Sequence, residues 1–139
     1  MPTFTIANLN IRTVPGSPDR ICYLLYPFDR LEEWIERAAP EFGVSIAVVT
    51  GMDWDNDLTP WPAKGQPPGS PDFRGNAVEF LSVLVSEVVP EVERRMNLGA
   101  AVERTLAGVS LSGLFTLWQW MSNSLFLSLI HISEPTRLR

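Results

Sequence analysis

The 139-residue sequence predicts an α/β protein, a mostly parallel sheet with helices on both faces. Two observations carry that expectation. Short apolar runs rich in β-branched residues alternate with longer segments whose apolar residues recur at helical spacing. Of those runs, Ile21–Tyr26 is continuously apolar and Val44–Thr50 largely so, as strands buried on both faces are.

In chain order, Thr3–Ala7 and Ile11–Val14 form a candidate hairpin around Asn8, Leu9 and Asn10, followed by a Pro15–Asp19 loop of strong turn chemistry. Pro27 closes the strand Ile21–Tyr26. Asp29 is placed to cap a helix over Arg30–Ala39, with Leu31, Trp34, Ile35 and Ala38 on one face. Pro40 and Gly43 lead into the strand Val44–Thr50. A polar loop then runs from Gly51 to about Asp72, a length that is uncommon in compact domains unless the loop is functional. Asp72 is placed to cap the next helix. From Gly75 toward Asn97, apolar residues at positions 78, 81, 85, 88, 89, 92 and 96 predict a helix that Pro90 kinks or divides. Val102–Ala107 is a further strand, and an apolar helix starts after it.

A formal charge of −5 with no Lys/Arg cluster argues against nucleic acid or an anionic membrane as the principal partner. Cys22 is the single cysteine, so neither an internal disulfide nor a cysteine-based metal site is expected. No basic start precedes an apolar block at the N-terminus, and Gln119, Ser122, Asn123, Ser124 and Ser128 interrupt the apolar stretch 114–130. These features point to a cytoplasmic protein without a membrane span and without a cofactor.

The chemistry concentrates at Leu106-Ala107-Gly108-Val109-Ser110-Leu111-Ser112-Gly113-Leu114. A serine on a sharp strand-to-helix turn exposes its oxygen at the carboxyl edge of a sheet, where the following amide and the helix N-terminus stabilise negative charge. Gly108 and Ser112 supply the small residues such a turn needs, although the common pattern has Gly where Ser112 stands. Ser110 is the candidate nucleophile; the plainer alternative is a helix cap. The backbone N–H groups of Met52, after the strand Val44–Thr50, and of Leu111 are the candidate oxyanion donors. The Met52 side chain would then line an acyl or alcohol pocket. Trp54 and Trp61 either line a substrate pocket or anchor the loop. The alternating Asp53, Asp55 and Asp57 suggest calcium ligands, but Leu58 and Lys64 stand where such a loop requires Gly and Glu.

Two stretches, Thr50–Ala63 (TGMDWDNDLTPWPA) and Leu106–Phe115 (LAGVSLSGLF), resemble esterases of the α/β-hydrolase superfamily, broadly of the esterase D type. The resemblance extends from Ile21 to Phe126. It implies an oxyanion loop in the first stretch and a nucleophile elbow in the second. It also implies an acyl-enzyme mechanism on small carboxylic esters or thioesters, with an acid and a histidine after later strands. A small residue other than Gly is tolerated at the place of Ser112 in the subgroup it most resembles.

Residues 127–137 (LSLIHISEPTR) resemble, codon for codon, the translation of a transposase adapter used in preparing sequencing libraries. The expectation is therefore a partial α/β-hydrolase domain over 1–126, truncated after the elbow helix, and a non-native tail over 127–139. On that reading the last strand is an exposed apolar edge and the chain is inactive. His131, the single histidine, is discounted as the catalytic base. A non-catalytic binding protein of the same fold and a truncated product without function are the alternatives.

Overall fold

The computed structural model describes residues 3–30, 33–65, 68–69, 72–122, 125–126 and 128–132, with residues 122 and 128–132 described as backbone. A six-stranded sheet is its centre, in the order β1-β2-β4-β3-β5-β6. β1 (Thr3–Ile6) and β2 (Leu9–Val14) form the expected hairpin. Its turn is the two residues Ala7 and Asn8, both at positive φ (50° and 68°), as the tightest hairpin connection demands. Leu9 and Asn10 belong to β2, since a two-residue turn frees them to pair with Ile6 and Thr5.

β3 (Arg20–Leu25), β4 (Ser45–Thr50), β5 (Glu103–Val109) and β6 (Ser128–Ile132) run parallel to one another, whereas β2 pairs antiparallel with β4. The sheet is thus mixed rather than mostly parallel. Strands linked by a two-residue turn must run in opposite directions; those joined through helices return in the same one.

The sequence reading ends the fold after the helix that follows the serine. The structure instead carries one more strand, β6, alongside β5 from Thr105 to Val109. The β5 backbone is therefore paired on both sides, and the expected exposed edge at β5 is not there. His131 stands level with Gly108 in that ladder. Residues 127 and 133–139 of the expected tail lie outside the described residues.

Alternation along the strands sorts the core into two clusters. Leu9, Ile11, Ile21, Tyr23, Leu25, Ala47, Val49 and Leu106 face one side, and Val14, Leu24, Ile46, Val48 and Ala107 face the other. On the second face lies α1 (Glu33–Phe42), which buries Ile35 and Ala39. The expected face differed: Trp34 is half exposed and Leu31 lies outside the described residues. α1 also continues two residues past Pro40.

The first face is covered by α3 (Ala77–Val83), a π-helical turn over Leu84–Val88, α4 (Val89–Arg95) and α5 (Leu111–Ser122). The division expected at Pro90 is realised as this π turn, with Pro90 in the first turn of α4, where a missing N–H costs little. Phe126 closes this core, fully buried with its ring edge-on to Tyr23 at 5.8 Å. Trp118 packs half-buried against Phe115, while Trp120 on another face of α5 is half exposed.

Candidate active site

Ser110 sits alone between the last residue of β5 and the first of α5, at φ +56°. A left-handed backbone at a residue with a Cβ costs roughly 1–2 kcal/mol and persists only where neighbours impose it. Three of those neighbours are visible. The Ser110 carbonyl accepts the Gly113 N–H at 2.9 Å, the first bond of α5. Gly108 lies against the returning helix: a Cβ there would stand 2.2 Å from the Ser112 carbonyl oxygen. Ser112 is fully buried; its Oγ accepts the Val109 N–H at 2.7 Å and lies within donating distance of the Leu25 carbonyl (2.8 Å) and the Val109 carbonyl (2.9 Å). The two serines are therefore distinct: Ser110 is exposed at the tip and Ser112 is locked inside.

Because β4, β3 and β5 are parallel, their carboxyl ends share one edge. Val49 and Gly108 both stand level with Leu25, on either side of it. Two strand spacings, about 10 Å, separate those levels. The segment after β4 thus shares the edge with Ser110. Gly51 turns it at φ +88°, and Met52 follows. As residue N1 of α5, Leu111 has an amide that the helix itself cannot satisfy. The Met52 side chain is buried and belongs to the main core cluster.

In the described parts of the segment between β4 and α3, polar groups bond to one another across the chain. A single helical turn, α2 (Trp54–Asp57), follows Asp53. The Asp53 N–H donates to the Asp57 carboxylate at 2.9 Å, and the Asn56 amide donates to Asp53 at 2.9 Å. Burial, and secondarily the charge of Asp53, push the Asp57 carboxyl above its ordinary range, against a lowering backbone hydrogen bond. The Asn56 side chain accepts the Arg74 N–H and its carbonyl accepts the Asn76 N–H, while Thr59 Oγ1 accepts the Gly75 N–H. These three bonds tie the two ends of the loop together. Asp72 is not a helix cap: it accepts the Gly65 N–H at 2.9 Å, and α3 begins only at Ala77. Among the described residues no group of three or more His, Cys, Asp or Glu could hold a metal ion. Trp54 is half-buried against the main core, whereas Trp61 is 62% exposed.

A cavity of about 390 Å³ lies elsewhere, between α1 and the amino-terminal half of the sheet, lined by Cys22, Leu24, Trp34, Phe42, Val44 and Ala107 among others. None of Ser110, Met52, Trp54 and Trp61 borders it. Burial pushes the Cys22 thiol up to about 12.

Two features escaped the sequence reading. One is the Ser112 hydroxyl bridge. The other is a polar cluster inside the core: Tyr23 donates to Glu93 at 2.7 Å, and Arg104 grips the same carboxylate through Nε at 2.6 Å and its terminal nitrogen at 2.7 Å. The signal was present, since Glu93 continues the apolar face of Val89 and Val92 and therefore needed buried partners.

Comparison with solved structures finds the same architecture in other proteins, three of which illustrate it. The BES protein from Bacillus cereus superposes with a TM-score of 0.72 at 21% identity, over 99% of this chain and 63% of that one. The siderophore hydrolase EstB from Aspergillus nidulans gives 0.58 at 19% identity, over 88% and 51%. The siderophore hydrolase EstA from the same organism gives 0.54 at 22% identity, over 83% and 48%. The chain thus spans about half to two thirds of the length of these structures. No protein-family model matches it, and comparison with curated proteins gives no match. The likeness defines a mixed α/β protein with a central sheet flanked by helices, of α/β-hydrolase-like fold. No helix among the described residues is long and apolar enough to cross a membrane.

Proposed function

We propose that the chain carries the nucleophile half of a serine hydrolase of esterase D type, acting on small carboxylic esters or thioesters. The observation that carries this reading is the positive φ of Ser110 between β5 and α5, at the sheet edge shared with Gly51 and Met52. A strained serine at that place is what a nucleophile elbow requires and what a simple helix cap does not, since a cap adopts extended backbone. The two siderophore hydrolases among the similar structures support a hydrolytic ancestry.

On this reading the Ser110 oxygen attacks the substrate carbonyl carbon while its proton passes to a histidine supplied by the parent protein. The Leu111 and Met52 amides hold the oxyanion, and collapse expels the alcohol or thiol to leave acyl-Ser110. Water then releases the acid. Trp54, half-buried beside the loop, is better placed to border the substrate than the outlying Trp61. The acid and histidine belong to the parent, a cytoplasmic enzyme needing no cofactor, and residues 127–139 are a non-native addition to its first 126. The 139-residue chain alone is accordingly inactive.

The deciding experiment is read-through of the source DNA across the Phe126–Leu127 junction by a method without transposase adapters. Ester hydrolysis is then measured in the complete protein and its Ser110→Ala variant. Loss of hydrolysis in the variant is expected; unchanged turnover would sink the nucleophile assignment. A downstream sequence lacking an acid or a histidine would favour a non-catalytic binding protein.

A further inference from the structure

The Ser112 hydroxyl stands where a tight strand-to-helix turn is ordinarily served by glycine, and it is not idle. It is fully buried, accepts the Val109 N–H at 2.7 Å and reaches the Leu25 carbonyl of the neighbouring strand at 2.8 Å. Val109 is the residue before Ser110, and Leu25 ends β3, the strand between the serine and the Gly51 segment. One hydroxyl therefore closes a ring around Ser110: from β5, over the turn, into α5 and across to β3. A buried polar group with both its donor and acceptor capacity used fixes local geometry, because each bond it loses leaves an unpaired group in the interior.

We propose that Ser112 is the positioning residue of the site: its hydroxyl holds Ser110 in the left-handed conformation and sets the aim of the Leu111 amide. This rests on the reading of Ser110 as nucleophile for its catalytic meaning, but not for its structural content. Ser112 itself is screened from substrate by complete burial, so it acts through Ser110 and not on the reacting atoms.

The test uses nuclear magnetic resonance on the 139-residue chain, with wild type, Ser112→Ala and Ser112→Gly. In the wild type the Val109 amide exchanges slowly and Ser110 shows the strong intraresidue Hα–HN contact of a positive φ. In both variants Val109 exchange accelerates about tenfold or more, and the Ser110 contact weakens. The Tyr26 amide, bonded to the Val49 carbonyl, keeps its protection. A Ser110 signature unchanged in the variants overturns the proposal; so does a wild-type Val109 amide that exchanges like an unprotected one. In the complete enzyme, Ser112→Ala is expected to lower kcat about tenfold with KM unchanged. Hydrolysis surviving Ser110→Ala would remove the catalytic reading alone. Loss in Ser110→Ala with full kcat in Ser112→Ala would remove this one alone.

Discussion

Arg104 at the start of β5 clasps Glu93 of α4 through two hydrogen bonds of 2.6 and 2.7 Å, beneath the fully buried Tyr23 ring, whose hydroxyl donates to the same carboxylate. This cluster joins the helical layer to the neighbouring strands β3 and β5. Burial, followed by the hydrogen bond to Glu93, pushes the Tyr23 hydroxyl well above its ordinary value, so it stays a donor throughout the physiological range. Replacing Glu93 by Ala leaves a fully buried phenol and a guanidinium on a side chain only 18% exposed without their shared carboxylate. The expected loss is about 3 kcal/mol in urea unfolding, against about 1 kcal/mol for Tyr23→Phe, which removes only one neutral donor. Equal effects would show that the ion pair contributes nothing beyond the phenol bond.

Gly108 has no room for a side chain, since the atoms a Cβ would meet are the backbone of Ser112 and Gly113 and cannot rotate away. Gly108→Ala is expected to cost on the order of 3 kcal/mol or to prevent α5 from docking. Circular dichroism melting and the fluorescence of Trp118, half-buried against the core, read both outcomes.

Ser110 pays for its position with backbone strain. Ser110→Gly removes the Cβ that makes φ +56° unfavourable, and it should stabilise the chain by about 1 kcal/mol, raising Tm by about 2–4 °C. Ser110→Ala, which keeps the Cβ, should not. Identical melting temperatures for the two variants would mean that the strain is not there.

Cys22 supplies a pH dependence. Its thiol is pushed from 9.0 to about 12 by burial beside the apolar cavity under α1. The native state therefore keeps a proton that the unfolded chain gives up between about pH 9 and pH 12. Stability from this group is fully present below pH 9 and falls as pH rises through that window, by at most about 1.4 kcal/mol per unit. Comparing alkaline denaturation of wild type with Cys22→Ala isolates the effect: the difference between them shrinks as pH rises. At pH 8 the native thiol should react with a thiol reagent far more slowly than the unfolded one.

Much of this arrangement was legible in the chain itself. The apolar runs around Tyr23 and Val48 identified central strands, because a strand covered on both faces is built mainly of apolar residues. The string from Gly108 to Gly113 located the turn, because only small residues fit where a helix folds back on its strand. Local composition could not reveal pairing partners. That β2 meets β4 antiparallel, and that residues 128–132 pair with β5, depends on which backbone edges remain open once the other strands are in place. Nor could spacing tell that Ser112 turns inward to Val109 and Leu25, that Met52 sinks into the core, or that Glu93 meets Tyr23 seventy residues away. Sequence periodicity determined which residues leave water; the tertiary structure decided which polar groups accompany them, because a buried donor must be paired by whatever the fold brings within 3 Å.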